Sequence, residues 1–228
     1  MALKAWNDLP KGLQKPEIRP YYEVLSRKKL SLKIKRIFDF TASALLLLIF
    51  SPIMIVLSIL ITLDSPGGAF YRQERVTTYG RIFRIHKFRT MVSGADKIGT
   101  LVTVNNDRRV TKIGSFLRKY RLDEIPQLID IMQGNMSFVG CRPEVPRYVK
   151  QYTPEMRATL LLPAGLTSEA SIRYKDEAEL MEKAEDADKV YVEQVLPGKM
   201  EWNLKEIKEF SLINEAKTLI STIIRVVK

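Results

Sequence analysis

Asp123 and Glu124 stand side by side in the stretch RKYRLDEIPQL, with Arg118, Lys119 and Arg121 just upstream and Pro126 just downstream. Three cations this close favour ionised carboxylates, the state that a nucleophile or a ligand for a hard metal ion requires. Proline suits the first turn of a helix, where its missing N–H has no intrahelical partner to lose. Asp123 is then a candidate helix start, and free amide donors at such a terminus attract phosphate. Carboxylates, cations and amide donors are what phosphoryl transfer needs, because charge on the moving phosphate must be neutralised. The same pattern has a plain structural reading, an aspartate N-cap followed by a first-turn glutamate. Taken alone, the residues allow both.

Other candidates lie on either side. Lys87 and Arg89 flank Phe88, so they share one face of a strand, either solvated or turned to an anionic ligand. Arg142 projects from a loop shaped by Gly140, Pro143 and Pro146. A single histidine, His86, excludes a multi-histidine metal cage and reads as structural; a single cysteine, Cys141, excludes an intramolecular disulfide and reads as a small packed residue. Any metal is therefore a hard ion on oxygen ligands.

The elements that must position these residues begin with Thr41 to Leu63, a run with no charge between Asp39 and Asp64. As a helix it would be about 34 Å long, enough to cross a hydrocarbon core of about 30 Å. Ser51-Pro52 in its middle predicts a bend or break. Basic clusters flank it on both sides, from Arg27 to Arg36 and from Arg72 to Arg89, and both want the cytoplasmic face. A re-entrant segment that turns at Ser51-Pro52 satisfies both flanks; a kinked spanning helix is the alternative. Residues 1–20, with three prolines, read as an irregular arm, and 21–64 as an interfacial lead feeding the membrane run. The pieces AFYRQERV and IFRIHKFRT around Thr77-Thr78-Tyr79-Gly80 predict a hairpin. A helix containing Ile113, Phe116 and Leu117 is capped by Thr111 or Ser115. The LLLPAGL patch is core or interface, 175–195 reads as a solvated helix interrupted by Pro197-Gly198, and spacings of three and four from Phe210 to Val227 predict an amphipathic helix. The expected fold is α+β, mainly helical, with a re-entrant helix, interfacial amphipathic helices and a small β-hairpin. Its catalytic part covers 65–200 and its C-terminal helix 201–228. A net charge of +11 points to an anionic partner, and the apolar run favours lipid headgroups over nucleic acid.

Seven motifs in register, from the basic lead and Ser51-Pro52 run through FYRQERV, KFRTM, NDRRVTKIGSFLRK, LDEIPQL and GNMSFVGCRPE to GLTS, resemble the monotopic phosphoglycosyl transferases, bacterial sugar transferases that load a sugar phosphate onto polyprenyl phosphate. The resemblance implies a re-entrant helix broken at Ser-Pro, and a bacterial inner-membrane location on the cytoplasmic face. It implies Asp123 as nucleophile toward a nucleotide diphosphate sugar, usually a UDP-sugar, releasing UMP. Polyprenyl phosphate then takes the phosphosugar from the aspartyl intermediate. Glu124 matches the partner carboxylate that organises Mg2+ with Asp123, while Arg118 and Arg142 match arginines at the phosphate and nucleotide end. Membrane lipids are implied partners, nucleic acid is not, and a homodimer is left open. Departures fall at Cys141, where the family has proline, at Arg108, also usually proline, and at Pro163 to Ser168, where an alanine is added and a glycine lost. A different reading of the charge is a non-enzymatic basic adaptor at the membrane surface, binding anionic lipid or nucleic acid.

Overall fold

The computed structural model describes residues 3–95, 107–174 and 186–227. Three 3-10 turns, Trp6–Asp8, Lys11–Leu13 and Pro16–Ile18, lead into helix α1 (Arg19–Ser26). The arm is docked: Leu3, Leu9, Leu13 and Ile18 share a buried cluster with Tyr21, Leu25, Leu32 and Leu161. Its prolines prevent a regular helix, yet short turns still deliver leucines to a core. The apolar side of α1 faces this core, so that part of the expected interfacial lead is interior.

Helix α2 (Lys29–Asp64) joins the rest of the lead to the apolar run in one helix of 36 residues. Helical structure continues through Ser51-Pro52, so the chain does not leave the helix at the expected bend or break. The local chemistry accounts for this. Pro52 has no N–H for the Leu48 carbonyl four residues back, and the Ser51 hydroxyl donates to that same carbonyl at 2.9 Å. One face of α2 is buried at Leu32, Lys35, Asp39, Ser43, Leu57 and Ile61, and Leu46, Leu47, Phe50 and Met54 pack between them. The opposite face leaves Leu45, Leu48, Ile49, Ile55, Ile59 and Leu63 exposed. Only 11% of the most apolar window is buried, so α2 is not the core helix of a water-facing fold.

Strands β1 (Phe70–Val76) and β2 (Ile82–Phe88) form the expected antiparallel hairpin, pairing Tyr71 with Lys87 and Arg75 with Phe83. Tyr79, at φ 59°, is left-handed in the connecting turn. Helix α3 (Lys112–Lys119) is capped by Thr111, whose Oγ1 accepts from Gly114 N–H at 3.0 Å, and by Asp64, which accepts from Ile113 N–H at 3.0 Å. Helix α4 (Gln127–Gln133) runs under α2 and ends at Gly134, φ 81°. Arg36 donates to the Ile131 and Met132 carbonyls at that end, at 2.6 and 2.7 Å.

A second sheet was not expected. Strand β3 (Met136–Val139) pairs in parallel with β4 (Ala164–Thr167), using the stretch read as loop and the end of the apolar patch. A Cβ on Gly165 would lie 2.1 Å from the Gly140 carbonyl oxygen, so only glycine lets the two backbones approach there. Buried charges of α2 tie it to this pair. Asp39 accepts from Ser137 Oγ at 2.8 Å and Phe138 N–H at 3.3 Å, and Lys35 donates to the Val139 carbonyl at 3.0 Å and to the Glu215 carboxylate.

Short helices α5 (Pro146–Val149) and α6 (Glu169–Arg173) precede α7 (Ala187–Val190), a π-turn (Tyr191–Val195) and α8 (Leu196–Lys208). The expected interruption at Pro197-Gly198 is absent, because Pro197 sits in the first turn of α8, where proline is tolerated. Nor is the end of that segment solvated: Ala187, Tyr191, Val195, Leu196 and Met200 are buried together, while residues 175–185 lie outside the described residues. Helix α9 (Leu212–Val227) turns its polar side inward. Glu215 meets Lys35, Thr222 shares a hydrogen bond with Thr167 at 2.8 Å, and Arg225 donates to the Ile172 carbonyl at 3.0 Å. Ile213, Ile220, Ile223 and Ile224 are exposed.

Candidate active site

Asp123 and Glu124 occupy a single 3-10 turn, Leu122–Glu124, between α3 and α4. The turn is entered through Arg121 at φ 56°, a left-handed conformation that reverses the chain so tightly that both carboxylates face β2. The N-cap reading of Asp123 does not hold: α4 begins at Gln127 after Pro126, with no side-chain cap.

Lys87, at the end of β2, donates to Glu124 Oε1 at 2.9 Å and stands 3.9 Å from Asp123 Oδ2. Arg142 reaches Glu124 from the loop after β3, pairing Nη2 with Oε1, and donates from Nη1 to the Leu166 carbonyl at 3.4 Å. Glu124 is thus clamped between two cations. Asp123 accepts no hydrogen bond among the described residues, which leaves its oxygens available for attack.

The two carboxyls are driven apart. Burial pushes Glu124 up, but Arg142 and Lys87 more than reverse this and hold it well below the usual glutamate range. Burial, joined by the Glu124 charge, raises Asp123 above the usual aspartate range even though Lys87, Arg118 and Arg142 oppose it. Burial also lowers the Lys87 ammonium, with Glu124 opposing and Arg142 adding to the shift.

Arg118 lines the same groove and is close enough to act on the Asp123 charge. Arg89 does different work. The residue is 7% exposed, and its guanidinium donates to the Ser65 carbonyl at 2.7 Å, to Ile61 at 3.3 Å, and to Pro66 and Gly67, closing the C-terminal end of α2. Sharing a strand face with Lys87 did not bring it to the carboxylates. His86 is structural, as expected, bonding through Nδ1 and its backbone N–H to the fully buried Asp130, each at 2.8 Å, and so fastening β2 to α4. Burial pushes the Cys141 thiol up to about 12, consistent with a packed residue rather than a nucleophile.

The carboxylates open onto a groove of about 810 Å³. Sequence reading missed much of its lining. Tyr71, Gln73 and Arg75 alternate along the less exposed side of β1, and Glu144, Tyr191 and Lys199 close the far end. The alternation within FYRQERV was the available signal for the first three. Nothing in the sequence brings Lys199 to Glu144, because α8 reaches the site only through tertiary packing.

No group of three or more His, Cys, Asp or Glu side chains able to hold a metal is present among the described residues. Two adjacent carboxylates, one of them without a hydrogen bond among the described residues, still fit Mg2+, which is commonly held by one or two carboxylates together with substrate phosphate oxygens.

Comparison with known proteins bears on this constellation. The family model for bacterial sugar transferases matches residues 30–228. A putative undecaprenyl-phosphate N-acetylgalactosaminyl 1-phosphate transferase of Bacillus subtilis is 42% identical over 125 residues, covering 55% of this chain and 70% of that protein. The UDP-glucose:undecaprenyl-phosphate glucose-1-phosphate transferase of Escherichia coli K12 is 34% identical over 197 residues, 84% of this chain and 40% of that protein. An undecaprenyl-phosphate galactose phosphotransferase of Salmonella typhimurium is 36% identical over 155 residues, 61% of this chain and 32% of that protein. The chain thus spans less than half the length of the E. coli and Salmonella proteins. The matched span holds the Asp123-Glu124 turn, Lys87, Arg118 and Arg142, and the chain belongs to the bacterial sugar transferase family.

Proposed function

We propose that this protein transfers a sugar-1-phosphate from a nucleotide diphosphate sugar, a UDP-sugar, to undecaprenyl phosphate or a similar polyprenyl phosphate. The observation that carries the reading is the Asp123 carboxylate, without a hydrogen bond among the described residues, beside a Glu124 clamped by Lys87 and Arg142 at the head of a large groove. In the first step an Asp123 oxygen attacks the sugar-bearing phosphorus, the bond to UMP breaks, and an aspartyl phosphosugar forms. In the second, an oxygen of the lipid phosphate attacks the same phosphorus and Asp123 is released. Lys87, Arg118 and Arg142 neutralise charge on the phosphoryl oxygens through both steps. Asp123 and Glu124 would hold Mg2+, which when bound supplies further charge neutralisation.

The same reading places the protein on the cytoplasmic face of the bacterial inner membrane. Residues of α2 from Leu32 to Ile61 touch one continuous body, so α2 has no free end to carry across a bilayer. Its exposed apolar side and the outward isoleucines of α9 instead form a surface for one leaflet. Both ends of α2 then stay on one side of the bilayer, the side that both basic flanks favour.

The test is UMP release from UDP-sugars by the full chain with Mg2+ and polyprenyl phosphate. Wild-type protein is expected to release UMP and Asp123→Asn is not. With lipid withheld, a mass adduct of one phosphosugar appears on Asp123. Turnover by Asp123→Asn at the wild-type rate would refute the mechanism.

A further inference from the structure

The groove extends from the carboxylates in two chemically different directions. Toward α3 it is cationic, lined by Arg118, Lys119 and Arg121. Toward α8 it is mixed and closed: Glu144 is 7% exposed, Lys199 and Tyr191 5% each. Tyr191 donates its hydroxyl proton to Glu144 Oε1, and Lys199 Nζ lies 3.4 Å from the Tyr191 oxygen and 3.9 Å from Glu144. Arg75 donates to Gln73 Oε1 at 2.6 Å and to the Pro143 carbonyl at 3.0 Å, while its buried Nε has no partner among the described residues. Lys87 faces Tyr71 at one end of β1, and the Glu144 carbonyl accepts from Val76 N–H at the other. The chain from Arg142 to Glu144 therefore runs from the phosphoryl site to this closed end.

We infer that the Glu144–Tyr191–Lys199 end of the groove, floored by Gln73 and Arg75, is the pocket that recognises the sugar of the donor. The inference rests on the transfer reaction proposed above. In-line displacement at phosphorus makes UMP leave opposite Asp123, and the lipid phosphate must then attack from that same side. Nucleotide and lipid phosphate share one arm, whose cations suit both, and the sugar remains in the other. A buried carboxylate repels phosphate but accepts from hydroxyls. Lysine, arginine and glutamine donors complete a set matched to a neutral ring bearing hydroxyl or acetamido groups. Buried polar groups discriminate steeply, because a sugar with one group misplaced leaves them unpaired.

The test measures UMP release from a panel of UDP-hexoses and UDP-N-acetylhexosamines, together with UMP affinity by competition, for the wild type, Glu144→Gln and Tyr191→Phe. Both substitutions should cut kcat/KM for the preferred donor by about tenfold or more and narrow the spread between donors, with UMP affinity changed less than about twofold. Retained UMP affinity also shows that the variants are folded. Weaker UMP binding with unchanged donor preference would place the nucleoside in this arm and overturn the inference; so would a donor spread and UMP affinity both unchanged. Wild-type protein that releases no UMP from any donor sinks the reaction instead. The pocket is then judged by calorimetry: the gain in affinity of UDP-sugar over UDP must shrink in both variants, and an unchanged gain refutes it.

Discussion

In the proposed reaction two requirements conflict at Asp123, because a nucleophile must be ionised while burial opposes its charge. Lys87, Arg118 and Arg142 resolve the conflict in part, and the remainder has a measurable consequence. The acid limb of the kcat/KM profile should fall above the ordinary aspartate value near pH 4, since Asp123 loses its charge as pH drops through its raised pKa. The alkaline limb should fall below the ordinary lysine value near 10.4, since burial lowers Lys87. Lys87→Arg should move the alkaline limb upward and leave the acid limb in place; a profile whose alkaline limb does not move would remove Lys87 from the reaction. At the same scale, Asp123→Asn should lower turnover by about a thousandfold or more.

Elements set where these groups stand, and two of them carry predictions of their own. Arg89 holds the end of α2 through several carbonyls, so Arg89→Met should destabilise the protein by about 2–3 kcal/mol, read as a lower Tm, with little change in UMP affinity. A large loss of UMP affinity in a folded Arg89→Met protein would instead return Arg89 to substrate binding. Within α2, Ser51 substitutes for the donor that Pro52 lacks. Ser51→Ala alone should cost about 1 kcal/mol, whereas the same change in a Pro52→Ala background, where the backbone N–H again reaches Leu48, should cost almost nothing. Equal costs in both backgrounds would show that the Ser51 hydroxyl does not serve the Leu48 carbonyl.

For the whole molecule, the relevant surfaces are the apolar side of α2, the outward isoleucines of α9 and a net charge of +11. Ile220→Glu with Ile223→Glu should weaken binding to anionic vesicles severalfold in a flotation assay without lowering Tm, because both side chains are exposed. Behind α9, burial holds the Glu206 carboxyl up at about 7, and the group accepts from Glu169 N–H at the start of α6. Below pH 4.5 Glu206 is protonated folded or unfolded and carries no penalty. Between pH 4.5 and about 7 the unfolded state binds fewer protons than the native one, so stability falls across that range, by about 3 kcal/mol once pH is above 7. Glu206→Gln should therefore raise Tm at pH 8 and not at pH 4; equal effects at both would contradict the shift.

The hairpin, the Thr111 cap, the amphipathic C-terminal helix and the cationic surroundings of Asp123 were legible in the residues, because turn chemistry, periodicity and local charge act over a few positions. The parallel β3–β4 pair was not, since its two short strands are separated by a long connection and join only through packing. At Ser51-Pro52, where proline alone argues for a break, α2 continues and the Ser51 hydroxyl takes up the Leu48 carbonyl, a detail that spacing does not show. Charge type and spacing by themselves determined that Asp123-Glu124 lies in a cationic stretch beside an apolar segment. Only the tertiary structure decided which cations serve it. Lys87 and Arg142, distant in sequence, converge on Glu124, while Arg89 turns away to close a helix, because a guanidinium goes to whichever acceptors the packed backbone presents.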